Sequence, residues 1–177
     1  LYARDETAAG VTVPVVFSGR APLYGTLMPH PDAPSMEDAV TRVVAFFEHI
    51  TPANLAAIDR IYAPDARFKD PFNEVCGVQP IQQIFEHMYV ALDQPRFVVT
   101  GRVVQGQQCF LTWDFLFEFK NYHRGETQTV RGASHLVLDP QGLIVLHRDY
   151  WDAAEELYEK LPVVGALMRW LRRRAAQ

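Results

Sequence analysis

Long apolar runs, basic excess and cysteine are all scarce in this chain, and each scarcity removes a class of protein. No stretch of about 18 apolar residues occurs, so no segment reads as a membrane-spanning helix. Lys and Arg number 17 against 21 Asp and Glu, and the net charge of −4 leaves no dense basic face for nucleic acid. There are two cysteines, Cys76 and Cys109, far apart and without metal-ligand spacing. A reduced, cytoplasmic chain is expected from that usage. The first residues lack a basic stretch followed by an apolar core, so no secretory signal is read there. Internal repeats and low-complexity tracts are also missing.

What is present suits one domain. The 177 residues are 49% hydrophobic and 12% aromatic, enough to bury a sizeable core. Charged residues make up 21%, which excludes disorder throughout. Residues 1–35 stand apart, holding five of the twelve prolines together with Gly10, Gly19 and Gly25. Pro-His-Pro-Asp-Ala-Pro at 29–34 blocks helix and ladder alike and reads as a linker. A short edge strand is expected over 11–17, interrupted by Pro14. The stretch 1–35 is therefore taken as an extension, whether a native arm or sequence foreign to the domain, with Met36 a plausible native start.

The core begins at Ser35, an N-cap residue with Asp38 three positions on. Val40, Val43, Val44, Phe47 and Ile50 recur at helical spacing. Thr51-Pro52 ends that helix, and a second is expected with Leu55, Ile58, Ile61 and Tyr62 on one face. Pro64-Asp65 stops it before a short strand over 66–70. A third helix puts Ile81, Ile84, Phe85, Met88 and Leu92 inward and closes at Asp93-Gln94-Pro95. The period then changes to two. Strands are expected over 97–104, 110–120, 127–138 and 143–151, with Trp113, Phe115, Phe117 and Phe119 sharing one face of the second. Asp139-Pro140-Gln141-Gly142 is a turn. Helices followed by long antiparallel strands give an α+β fold, three N-terminal helices lying on one face of a curved, mostly antiparallel mixed sheet.

The segment Tyr62-Ala63-Pro64-Asp65-Ala66-Arg67-Phe68-Lys69-Asp70-Pro71 resembles the NTF2-like superfamily, which includes ketosteroid isomerases and SnoaL-type polyketide cyclases. Leu138-Asp139-Pro140-Gln141-Gly142-Leu143-Ile144 resembles its late hairpin, and Tyr150-Trp151-Asp152 the end of its last strand. The likeness covers residues 36–155. It implies a cone-shaped, cystatin-like fold whose sheet wraps the helices and leaves an apolar cavity open at one end. The superfamily hosts isomerases, cyclases, hydrolases, dehydratases and non-catalytic binders, so the resemblance speaks to fold more than to function.

The resemblance also implies site residues. Asp70 matches the aspartate that serves as general base in ketosteroid isomerase, with Phe68 and Phe72 as apolar walls. The other reading of Asp70 is a turn-forming aspartate. The isomerase's oxyanion tyrosine falls at Phe46 and its second donor at Ser134, so that mechanism lacks its preorganised donors here. His147, Asp149 and Trp151 alternate along the last strand and share one face. His147 and Asp149 are expected either as catalytic partners of Asp70, with Asp70 and His147 exchanging the proton and Asp149 orienting His147, or as a self-satisfied buried pair. Tyr62, Trp113, Phe115, Phe117 and Trp151 form either a ligand cage or core. His135 is expected to face outward, and Asp152 to cap a final helix.

That helix, over 156–177, carries Leu157, Leu161, Val164, Leu167, Met168 and Leu171 as a stripe, with Arg169, Arg172, Arg173 and Arg174 near its end. It is expected to lie over the cone mouth or at a subunit contact, or alternatively to touch an anionic membrane surface. The expected function is binding of a small hydrophobic molecule, polycyclic or lipid-like and bearing a carbonyl, with cofactor-free proton transfer. A non-catalytic ligand-binding or protein-interaction domain is the alternative. No cofactor and no metal are called for, and a homodimer paired through the convex sheet face is expected.

Overall fold

A computed structural model describes residues 35–121, 124–161 and 164–175. The expected strand over 11–17, the linker at 29–34 and all of the extension except Ser35 lie outside the described residues.

Helix α1 (Met36–Glu48) begins where the capping residue predicts: Ser35 Oγ accepts the Asp38 N–H at 3.1 Å. Its Ala39, Val40, Val43 and Phe47 are buried, as three- and four-residue spacing requires of a face against a core. The second expected helix is only a 3-10 stretch, Leu55–Arg60. Two causes meet there. Thr51 and Asn54 exchange side-chain-to-backbone hydrogen bonds of 2.7 and 3.3 Å just before it, and Pro64 forbids helical continuation through Ala63. The chain extends instead at Tyr62, so strand β1 (Tyr62–Lys69) starts ahead of the expected Ala66. Pro64 is tolerated because the pairing of β1 shifts register between Tyr62 and Arg67.

Strand β2 (Glu74–Cys76) folds back on β1, and Gly77, at φ 96°, turns the chain into α2 (Val78–Ala91). Strand β3 (Leu92–Gln105) follows α2 with no intervening loop. Asp93-Gln94-Pro95, expected as a closing turn, is absorbed into β3 as a bulge, with Gln94 at φ 49°. Strands β4 (Gln108–Phe119), β5 (Gln128–Leu138) and β6 (Ile144–Tyr150) complete the sheet. Their order is β2-β1-β6-β5-β4-β3, and only the β1–β6 pair is parallel. Further register shifts at Val99/Gly101 and Val137/Leu138 bend the sheet, and α1 and α2 pack against its inner side. Two helices and a 3-10 turn thus stand where three helices were expected.

The C-terminal segment is helical in pieces rather than as one helix from 156. Asp152 caps α3 (Ala153–Glu156), its Oδ1 accepting from the Ala154 and Glu155 N–H groups at 2.9 and 3.2 Å. A 3-10 turn at Tyr158–Lys160 and α4 (Val164–Ala175) follow. Among the described residues no helix is long and apolar enough to cross a membrane.

One cross-strand contact ties sheet packing to the site described next. Trp113 on β4 pairs directly with Gly132 on β5, and its indole lies over the space where a Cβ at 132 would sit. Ring carbons of a buried tryptophan give way poorly. Gly132→Ala is expected to displace the indole and cost about 1–3 kcal/mol, the usual range for overpacking, read as a lowered midpoint in urea. An unchanged midpoint would show the ring is not held against the strand.

Candidate functional site

Alternation along the strands decides what faces the hollow of the sheet. The pairs Trp113–Gly132, Leu111–Ser134, Ser134–Asp149, Leu136–His147 and Phe68–His147 run across four strands, so these side chains share the inner side. Tyr62 reaches the same point from the start of β1.

Hydrogen bonds link five of these residues into one chain. The Trp113 indole N–H donates to Ser134 Oγ at 2.8 Å. An indole can only donate, so the Ser134 hydroxyl turns its own hydrogen to Asp149 Oδ1, 2.5 Å away. His147 Nε2 lies 2.9 Å from that same oxygen and 3.3 Å from Ser134 Oγ, which places its proton on Nε2. His147 Nδ1 is then an acceptor, and the Tyr62 hydroxyl donates to it at 2.5 Å. A doubly protonated imidazole would leave the Tyr62 hydrogen without an acceptor in this chain of bonds. Tyr62 is fully buried, and burial first, then the charge of Asp149, pushes its hydroxyl well above the usual tyrosine range. It is a permanent donor, not a base.

His147 is only 5% exposed, and the rings of Phe68 and Phe47 stand edge-on to it at 4.9 and 5.7 Å. Of the paired His147 and Asp149, the aspartate reaches further into open space, its side chain 17% exposed against 6%. It borders two hollows. One is an inner chamber of about 30 Å³, large enough for a water molecule, between Phe47, Leu111, Leu136 and the polar trio Ser134, His147 and Asp149. The other is the main cavity of about 620 Å³, walled by Phe68, Phe85, Phe97, Trp113, Phe115 and Phe117. Among the described residues Asp149 Oδ2 has no hydrogen-bond partner, so one carboxylate oxygen is held and the other is available.

The expected site residues divide accordingly. Asp70 does border the main cavity, but it is not joined to His147. Its Oδ1 accepts the Phe72 and Asn73 backbone N–H groups at 2.7 and 2.5 Å, and Asn73 Nδ2 bonds both carboxylate oxygens at 3.1 and 3.0 Å. This is the turn-forming arrangement. Phe72 is 54% exposed and stands at the rim, edge-on to Trp151 at 5.4 Å. Trp151, Phe68, Trp113, Phe115 and Phe117 all line the main cavity. Tyr62 serves the hydrogen-bond chain rather than the wall. Phe46 borders neither hollow and packs on Phe47 instead, because α1 turns its Val43–Phe47 stripe inward. His135, as expected, lies on the other side of the sheet, stacked on Phe110 at 4.5 Å.

Several wall residues escaped the sequence reading. Phe47, Phe85 and Phe97 were legible only as core, although each borders a hollow. Asn73 and Phe119 carried no signal as site residues beyond their neighbours. The helical period of α2 gave Ile84 and Met88, which do face the cavity.

Comparison with known proteins follows the same lines. Residues 43–147 match the SnoaL-like domain family. No curated protein matches the chain by sequence. Solved structures similar to it include an NTF2-like protein from Burkholderia pseudomallei, 16% identical with a TM-score of 0.58, covering 68% of this chain and 92% of that one. An LEH-like epoxide hydrolase from M. tuberculosis is 15% identical with a TM-score of 0.58, covering 70% and 89%. A SnoaL-like polyketide cyclase from Shewanella putrefaciens is 14% identical with a TM-score of 0.57, covering 71% and 98%. At such identities the likeness is one of fold.

The Tyr62 hydroxyl makes a prediction of its own. Tyr62→Phe leaves His147 Nδ1 buried without its donor and is expected to cost about 1–3 kcal/mol at neutral pH. The folded state holds the Tyr62 proton more tightly than the unfolded chain, so this stability is complete below the ordinary tyrosine pKa near 10 and declines as pH rises beyond it. The variant should show a shallower alkaline fall in stability, by up to about 1.4 kcal/mol per pH unit. Parallel alkaline slopes in denaturant melts would refute the buried-donor role.

Proposed function

The chain belongs to the SnoaL-like domain family, and on that premise we propose that it binds a polycyclic or lipid-like carbonyl compound in its aromatic cone and moves a proton on it without a cofactor. The observation that supports this reading is Asp149: a carboxylate anchored through one oxygen, with the other beside a large apolar cavity. Apolar walls keep bulk water from the space in front of such a group, so a substrate C–H can be held against it. Asp149 would take a proton from the carbon next to the carbonyl and return it to another carbon of the extended enolate. That step is an isomerisation and balances with no second reactant. His147 and Ser134 act as positioning residues, holding the carboxylate in its orientation, and Tyr62 fixes the tautomer of His147. This redistributes the roles read from sequence, where Asp70 and His147 exchanged the proton and Asp149 oriented the imidazole. Asp70 would serve at the cavity edge, shaping the entrance through its turn.

A second reading rests on a specific observation. The Ser134 hydroxyl spends its hydrogen on Asp149, and Phe46 lies away from the cavity, so neither offers a developing enolate a donor. A binding domain without turnover needs no such donor. The same proposal takes the chain as cytoplasmic, in keeping with its free cysteines, Cys76 exposed and Cys109 buried. It also takes it as a homodimer, paired through the outer sheet face where Val98, Val103, Phe110 and Tyr150 are exposed.

Asp149→Asn keeps an acceptor oxygen for His147 and Ser134 and so should preserve the fold. Assayed against a panel of polycyclic and long-chain enones, it is expected to lower kcat by roughly 10²–10⁴-fold while ligand affinity, read by quenching of tryptophan fluorescence, stays within a few-fold. Wild-type binding without turnover of any panel member would favour the binding domain, and turnover undiminished in the variant would rule out Asp149 as the base.

A further inference from the structure

The face that α4 leaves open carries a chemistry the cavity does not use. Val164, Leu167 and Leu171 recur at i, i+3 and i+7 and fall on one side of the helix. They are 41%, 53% and 44% exposed, and Trp170 on the flank is 46% exposed. The helix docks on the domain by another side. Gly165 is buried there, its N–H donating to the Leu161 carbonyl at 2.9 Å. Arg172, two turns on, reaches Glu159 at 3.2 Å and Glu155 at 3.7 Å. Among the described residues no α4 side chain lines the main cavity.

Charge says what the open face suits. The sequence of α4 holds four arginines and no acidic residue, on a chain whose net charge is −4. With Arg172 engaged by Glu155 and Glu159, Arg174 remains as an exposed cation on the side of the apolar stripe, while Arg173 is exposed on the far side of the helix. The Arg174 guanidinium lies 5.0 Å over the Trp170 ring, which presents an indole and a cation together at the boundary between apolar and polar sides. Indoles partition to the headgroup level of bilayers, and arginines meet lipid phosphates there. A second copy of α4 fits this face poorly, since pairing would gather arginines with no acid on either helix.

We propose that the α4 face made by Val164, Leu167, Trp170 and Leu171, with Arg174, is a docking surface for an anionic phospholipid bilayer. The helix would lie in the plane of the headgroups without crossing them. Such attachment is reversible and salt-sensitive, because exposed charges supply much of it. It goes beyond the proposed chemistry of the cavity and stands whether or not that chemistry does.

Flotation of the full chain with phosphatidylcholine vesicles, with and without phosphatidylserine, tests it. Binding is expected to the phosphatidylserine vesicles and to fall as salt rises. Arg174→Gln should weaken it by about fivefold, the worth of one cation near an anionic surface. Leu167→Glu with Leu171→Glu should abolish it while the thermal midpoint changes little, since each side chain is already about half exposed. Absence of binding to phosphatidylserine vesicles at low salt would overturn the proposal. So would binding that neither variant reduces, or a glutamate pair that changes only the oligomeric mass by light scattering, which would assign the face to another copy of the chain.

Discussion

One carboxylate oxygen, Asp149 Oδ1, receives both the Ser134 hydroxyl and the His147 ring N–H, and the arrangement of the inner sheet depends on that double acceptance. Through Ser134 it reaches Trp113 on β4; through His147 it reaches Tyr62 on β1. Four strands are thereby tied by side chains as well as by their ladders. Each member has few alternatives. Buried polar groups without partners are expensive, and among the described residues no buried side-chain nitrogen or oxygen lacks one. A satisfied network of this kind is stiff, and stiffness is what a positioned carboxylate requires.

The same fact explains why a structural and a chemical reading of His147 are both natural. The imidazole is walled by phenyl rings and bonded at both nitrogens, which would be complete as core architecture. What the network leaves over is a single oxygen on Asp149. Asp149 also borders a cavity of about 620 Å³, which a wholly enclosed pair would not. Fold alone does not fix which chemistry a cone of this kind carries out.

Much of the fold was legible because it is local. Ser35 announced α1, the alternation of Trp113, Phe115 and Phe117 announced β4, and Asp139 to Gly142 announced its turn. The failures came where a local preference met a constraint from elsewhere. Leu55, Ile58 and Ile61 have helical spacing, yet Pro64 and the pairing of Tyr62 beside β6 draw the chain out early. Asp93-Gln94-Pro95 looks like a terminator, and only partnership with β4 makes it a bulge. In the site, strand alternation correctly put His147, Asp149 and Trp151 on one side. It could not tell which of the first two borders open space, because depth within a curved sheet is a property of the bend and not of the period. Phe46 and Phe47 differ by one helical step of rotation, and an ungapped match to a family position cannot resolve that step.

The parallel contact of β1 with β6 has a consequence for how the molecule comes together in time. Phe68 and His147 are neighbours across strands but about 80 residues apart along the chain, and closing so long a loop costs entropy before any contact repays it. The antiparallel run from β3 to β6 pairs by short connections and can assemble first. Tyr62 is made long before His147, so their bond must await the synthesis of β6, and the histidine acquires this partner only when the chain has closed on itself.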